Sequence, residues 1–168
     1  MNQIVKTENH PNKKRKILGP IGRFLLKLVS WDIVGDLPDK KRVGYKKTKA
    51  EIFANYDDIS IAVKNLIKNA LKYSPLEENI FIKTEMSDSE IICSFQDFGS
   101  GISKADQEKI FERFYRVDKG RSRKLGGTGL GLAIVKHAID RNNARIEIES
   151  KLSFGSTFSI IFPKVNVK

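Results

Sequence analysis

Apolar residues recur at spacings of three and four between residues 57 and 73. Ile59, Ala62, Val63, Leu66, Ile67 and Ala70 form one stripe, which predicts a helix with a single buried face. Asp57 or Asp58 is placed to cap its start, and Ser74-Pro75 stops it. On either side the period falls to two. Residues 51–56 read as a short strand, and residues 79–85 and 90–96 as two strands joined by a polar turn at Ser87-Asp88-Ser89. Residues 145–150 and 157–162 alternate about a turn at 153–155, and residues 130–140 are helical in pattern. Helices interleaved with paired strands predict one α/β layer: a mixed sheet with helices on one face.

The first 49 residues do not share this regularity. Residues 1–16 are polar and basic, with Pro11 and the run Lys13-Lys14-Arg15-Lys16, and read as a disordered arm. Residues 17–35 are apolar but interrupted by Arg23 and Lys27, which is too charged for a membrane span. They also lack a small-residue cleavage site, so a secretory leader is not expected. The expectation here is a short amphipathic helix ending near Gly35, followed by a turn-rich basic stretch to residue 49. The division drawn from these patterns is 1–16 arm, 17–49 atypical segment, 50–168 folded domain.

Charge changes one conclusion. The net charge of +11 suggests a nucleic-acid binder until it is mapped. Residues 1–49 carry 13 Lys/Arg against 4 Asp/Glu, and residues 50–168 carry 18 against 16. The basic excess belongs to the N-terminal third, so no nucleic-acid partner is expected. A membrane-surface contact through residues 13–35 stays open. The lone Cys93 excludes an internal disulfide, fits a reducing, cytoplasmic setting, and reads as a small core residue.

Three features carry candidate chemistry. Asn65, Asn69 and Lys72 are four and three apart, so they share a helix stripe flanking the buried one. Amide oxygens are hard ligands suited to Mg²⁺, and a lysine suits phosphate. Next, Asp97-Phe98-Gly99-Ser100-Gly101-Ile102 follows a strand, where glycines allow close backbone approach to a ligand and a carboxylate accepts from an exocyclic amine. Finally, Gly126-Gly127-Thr128-Gly129-Leu130-Gly131 opens a helix and exposes backbone N–H groups to an anion. It is neither a P-loop nor a dinucleotide fingerprint. Taken singly, each has an ordinary reading as a solvated helix face, a strand-to-loop turn or a glycine cluster.

In this order, however, they resemble the nucleotide-binding boxes of the histidine kinase catalytic domain, within the gyrase, Hsp90, histidine kinase and MutL ATPase group. NLIKNALKYSP (65–75) resembles the N box, DFGSGI (97–102) the first glycine box, FERFYRVD (111–118) the F box and GGTGLGLAIVKH (126–137) the second glycine box. The resemblance covers about residues 50–163, and residues 121–137 look most like kinases of the phosphate-sensor type. Residues 17–42 faintly resemble the start of bacterial phospholipid-synthesis acyltransferases, without their His-x4-Asp motif.

The resemblance implies a two-layer α/β (α+β) sandwich, the Bergerat-type ATP-binding fold, with ATP and Mg²⁺ as cofactors. It implies that Asn65 and Asn69 hold Mg²⁺ and are the residues on which catalysis turns. Lys72 would contact phosphate, and Tyr73 would pack near adenine or ribose. Asp97 would accept from the adenine amine in a pocket shaped by Gly99, Gly101 and Ile102. Gly127, Thr128, Gly129, Leu130 and Gly131 would let backbone approach the phosphates. Residues 103–124 would form a lid anchored on apolar surface by Phe111 and Phe114, with Arg113, Arg116, Arg121 and Arg123 as candidates to neutralise phosphate. Phe98 stands where the family usually has asparagine.

By the same resemblance, hydrolytic relatives carry a glutamate where this chain has Asn65, four residues before Asn69. An amide is no general base at neutral pH, so phosphoryl transfer is expected over hydrolysis. The family's acceptor motif is absent; the only histidines are His10 and His137. The implied partners are a separate dimerisation domain bearing the acceptor histidine and, indirectly, a response regulator, with a monomer expected in isolation. The alternatives are a nucleotide-binding regulatory module without kinase activity, and an anti-sigma-type serine kinase, against which FERFYRVD argues. The family's usual opening strand and helix are also missing before residue 51. Two expectations stand for Ile21, Phe24, Leu25, Leu28 and Trp31: docking over the gap as a helix, or staying exposed or meeting a membrane.

Overall fold

The computed structural model describes residues 23–27, 39–45, 51–117 and 127–164. The chain begins with β1 (Arg23–Lys27), β2 (Val43–Tyr45) and β3 (Glu51–Asn55), and passes into α1 (Tyr56–Tyr73). It continues through β4 (Ile80–Met86), β5 (Glu90–Asp97), the short α2 (Lys104–Gln107), α3 (Gly131–Asp140), β6 (Arg145–Lys151) and β7 (Gly155–Pro163). Five strands make one mixed sheet in the order β2-β4-β5-β7-β6, with β2 parallel to β4 and the others antiparallel. The expected two-layer α/β architecture is what forms.

Strand alternation sets the layers. Along β5, Ile91, Cys93, Phe95 and Asp97 are buried on the helix side, and Ile92, Ser94 and Gln96 face the other way. The buried side of α1, made of Ile59, Ala62, Val63, Leu66, Ile67 and Ala70, closes over these residues together with Val135, Ala138 and Ile139 of α3. Burial pushes the Cys93 thiol up to about 12, so it stays a protonated core residue.

The start of α1 differs from expectation. Its cap is Asn55, not Asp57 or Asp58: the Asn55 Oδ1 accepts from the Asp57 and Asp58 backbone N–H groups at 2.9 and 3.0 Å. The two aspartates lie in the first turn, facing the positive end of the helix dipole. The helix ends where Ser74, before Pro75, turns extended.

Residues 23–27 form a strand, where a helix was expected. β1 pairs antiparallel with β3, from Arg23 opposite Asn55 to Lys27 opposite Glu51. The edge of β3 carries backbone donors and acceptors that a neighbouring strand satisfies and a docked helix does not. A five-residue run such as RFLLK is too short for periodicity to tell the two apart. Ile21, Leu28 and Trp31, like the basic arm, lie outside the described residues. Pairing also begins before residue 50: β2 adds to the edge of β4, and Arg42 donates to the carbonyls of Pro75 (2.5 Å) and Glu78 (2.7 Å). Among the described residues no helix is long and apolar enough to cross a membrane.

The two long helices are locked by Asn142, 5% exposed, just beyond α3. Its Nδ2 donates to Ala138 O (2.7 Å) and Asp58 Oδ2 (3.1 Å), and its Oδ1 accepts from the Asn55 N–H (2.7 Å). Replacing it strands part-buried partners at the start of α1 and a buried carbonyl in α3. Asn142→Ala is therefore expected to lower the unfolding free energy by about 2 kcal/mol, read from urea denaturation.

Candidate functional site

Asp97 ends β5 and is 7% exposed. Its Oδ1 accepts from the Gly99 N–H (2.9 Å) and the Ser156 N–H (3.2 Å). Burial pushes the carboxyl above the usual carboxylate range, and those hydrogen bonds only partly offset it. The loop after Asp97 is pressed between two walls. A Cβ on Gly99 would lie 2.8 Å from Tyr73 O, at the end of α1. A Cβ on Gly101, at φ +69°, would lie 2.0 Å from Lys151 O. Neither position has room for a side chain. The Phe98 N–H donates to Ser74 Oγ (3.1 Å) and the Ile102 N–H to Ser150 Oγ (2.8 Å), fixing the loop to α1 and β6.

The second half of the site is where α1 meets the start of α3. A Cβ on Gly131 would lie 3.2 Å from Asn65 Oδ1 and 3.9 Å from Asn69 Nδ2, so both amides border the helix N-terminus. Asn65 donates through Nδ2 to Ile61 O (2.9 Å), which leaves its Oδ1 turned toward Gly131. No side chain caps α3, so its first-turn N–H groups face this opening. Lys72 lies one turn further along α1. Partial burial, and then the Arg116 guanidinium nearby, hold its ammonium below the usual lysine range. The amides that border the α3 N-terminus, and Lys72 with the Arg116 charge acting on it, are groups suited to an anion.

Phe114 joins the halves of the loop. It sits at φ +67°, uncommon for a side-chain-bearing residue, and its N–H donates to Gly129 O at 2.9 Å. Gly129 is itself at φ +73°, and a Cβ there would lie 2.8 Å from the Phe114 backbone.

Most predicted residues therefore converge. Asn65, Asn69, Lys72, Arg116 and Gly131 form one cluster, with Gly127, Thr128, Gly129 and Leu130 leading into it. Tyr73, Asp97, Gly99, Gly101 and Ile102 form a second around the end of β5. One expectation changes. Phe111 packs on the core, but Phe114 is 69% exposed and anchors through its backbone. The stretch from residue 103 is packed as far as it is described, with α2 formed and Ile110 buried. The Phe98 ring lies edge-on to exposed Phe81 (6.0 Å between centroids). Arg121, Arg123 and Gly126 lie outside the described residues. Sequence reasoning missed Ser150, Asp106 and Tyr115; the Ser103-x-x-Asp106 spacing was the one available signal, as a capping pattern.

Among the described residues no group of three or more His, Cys, Asp or Glu side chains could hold a metal. Two amide oxygens suit a hard cation that arrives with further oxygen ligands, so the site fits Mg²⁺ carried by phosphates and not a resident ion.

Residues 54–166 match the family model described as histidine kinase-, DNA gyrase B-, and HSP90-like ATPase. The chain is similar to the sensor-like histidine kinase SenX3 of Mycolicibacterium smegmatis, 48% identical over 103 residues, covering 61% of this chain and 27% of that protein. It is also similar to the signal transduction histidine-protein kinase ArlS of Staphylococcus aureus, 47% identical over 96 residues, covering 57% of this chain and 21% of that one. It thus spans about a quarter of the curated relatives' length. Among solved structures, the catalytic domain of the histidine kinase ThkA superposes with a TM-score of 0.62 at 25% identity, over 80% of this chain and 88% of that one. The mycobacterial sensor histidine kinase MprB superposes with a TM-score of 0.62 at 24% identity, over 73% and 83%.

The Asp97 environment has a testable sign. Its carboxyl binds a proton more tightly folded than unfolded, so its contribution to stability is full below about pH 4 and is lost as pH rises through the raised folded value. Asp97→Asn removes that loss. Urea melts of both proteins should show the variant's stability relative to the parent improving from pH 4 to pH 7.5; a relative decline would contradict the assigned cause.

Proposed function

The chain belongs to the family of histidine kinase-, DNA gyrase B-, and HSP90-like ATPases, and on that premise we propose that it is the ATP-binding catalytic domain of a sensor histidine kinase. In this reading it transfers the γ-phosphoryl group of ATP to a histidine on a dimerisation domain, from which a response regulator is then served. The observation that carries the reading is the meeting of Asn65 and Asn69 with the uncapped α3 N-terminus, beside Lys72 and Arg116.

Each residue then has a physical task. Asp97 accepts from the adenine amine, and the tight glycine loop holds its carboxylate in place. Tyr73, at the end of α1, backs onto the same loop at Gly99. Lys72 and Arg116 meet phosphate oxygens, and the α3 N–H groups meet the others. Asn65 and Asn69 would hold Mg²⁺, which supplies charge neutralisation on the phosphates. Asn65 offers water no general base, which favours transfer over hydrolysis. His137 lies in the last turn of α3, six residues beyond Gly131 and so about 9 Å along the axis, and cannot attack in line. The reading places the acceptor on a histidine of the partner domain. ATP chemistry of this kind places the chain on the cytoplasmic side, with residues 13–35 as the stretch for any membrane-surface contact.

Calorimetry and labelling test this. Mg-ATP should bind in preference to Mg-GTP, and Asn69→Ala should weaken Mg-ATP binding by at least about tenfold and abolish its dependence on Mg²⁺. With γ-labelled ATP, the isolated chain should stay unlabelled, and a kinase dimerisation domain added in trans should gain acid-labile, alkali-stable label. Unchanged Mg-ATP affinity in Asn69→Ala, or such label on the isolated chain, would overturn the reading.

A further inference from the structure

From the end of the first glycine box to Tyr115 of the F box runs a bonded unit to which nothing above gives a role. Ser103 caps α2, and its hydroxyl donates to Asp106 Oδ2 at 2.6 Å. The other carboxylate oxygen, Oδ1, accepts from the Tyr115 hydroxyl at 2.5 Å. The hydrogen bonds from Ser103 and Tyr115 hold the Asp106 carboxyl below the usual range, and Asp106 pushes the Tyr115 phenol up, so both stay in their bonded forms near neutral pH. Lys109 and Glu112 are the other charges acting on the pair.

The unit is anchored on one side and delivers something on the other. The Ile102 N–H donates to Ser150 Oγ, and Gln107 Nε2 donates to the Ile102 and Ser150 carbonyls at 3.0 and 3.1 Å, which ties α2 to β6 of the sheet. Tyr115 stands between Phe114, at φ +67° and bonded through its N–H to Gly129, and Arg116, whose charge acts on Lys72. The Asp106–Tyr115 bond thus connects the rigid sheet to the segment that presents the guanidinium. A carboxylate would repel phosphate, so a direct contact with nucleotide is not its task.

We propose that Asp106 is a positioning residue: by holding the Tyr115 hydroxyl it sets the backbone that carries Arg116 into the phosphate end of the site. The proposal rests on the reading that Lys72 and Arg116 meet nucleotide phosphates. It predicts an effect that depends on phosphate, whereas a general loss of structure would act on every ligand.

The test is titration of the parent, Asp106→Ala, Tyr115→Phe and the double variant with the Mg²⁺ complex of an imido-bridged ATP analogue and, separately, with adenosine. Each single variant should raise the Kd for the analogue about tenfold, the loss expected for one hydrogen bond to a charged group. Adenosine should bind all four within about twofold, and the double variant should be no weaker than the singles, because both remove the same link. Unchanged analogue affinity in the single variants, equal weakening for adenosine, or additive losses would overturn the proposal. Tyr115→Phe keeps the ring and removes one oxygen, so it decides the matter should Asp106→Ala fail to fold. A parent that binds the analogue no more tightly than adenosine would overturn the phosphate reading itself, and the positioning role with it.

Discussion

One helix has to present two faces at a fixed angle, and the site depends on that angle. At about 100° per residue, burial of Ile59, Val63, Leu66 and Ala70 leaves no freedom in where Asn65, Asn69 and Lys72 point. Rotating α1 by one position would bury an amide and expose an isoleucine, so the hydrophobic core enforces the polar geometry. The devices at its N-terminus serve the same end. Asn55 fixes where the first turn begins, and Asn142 bolts that turn to α3. α3 can then approach closely only because Gly131 puts no side chain against Asn65.

The end of β5 is built on the opposite principle, a group kept at some cost to stability. Asp97 is buried and bonded to the backbone N–H groups of Gly99 and Ser156, and burial still dominates its titration. A Cβ on Gly155, at φ +91°, would lie 2.1 Å from Asp97 O, so the strand end is closed in from behind as well. A carboxylate held that tightly in a half-dry wall suits recognition of a fixed donor such as an adenine amine. Packing alone would favour an apolar residue there.

Much of this was legible in the sequence, for reasons that can be traced to particular residues. The α1 stripe and the alternation of β4 to β7 report burial directly. The two glycine boxes report positions where backbone must come close, as Gly101 against Lys151 and Gly129 against Phe114 demonstrate. What escaped were features set by partners distant in sequence. β1 is a strand because the β3 edge requires one, and Val43–Tyr45 is too short to signal itself. Asn55 reads as a strand residue until the helix after it is placed. Asp106 and Tyr115 meet across a turn whose path no local propensity fixes, and Phe98 turns to Phe81 of a neighbouring strand.

The central claim is that Lys72 of α1, with the Arg116 charge of the F-box segment acting on it, meets a triphosphate that neutralises both. Lys72 reports this directly, because its ammonium is held below the usual lysine value of about 10.4 by partial burial and by Arg116. The decisive measurement is an NMR titration of the Lys72 side chain in the free protein, with Mg-ATP and with adenosine. The account predicts a depressed value in the free protein, a clear rise with Mg-ATP and no rise with adenosine. A Lys72 value that Mg-ATP leaves unchanged would contradict it.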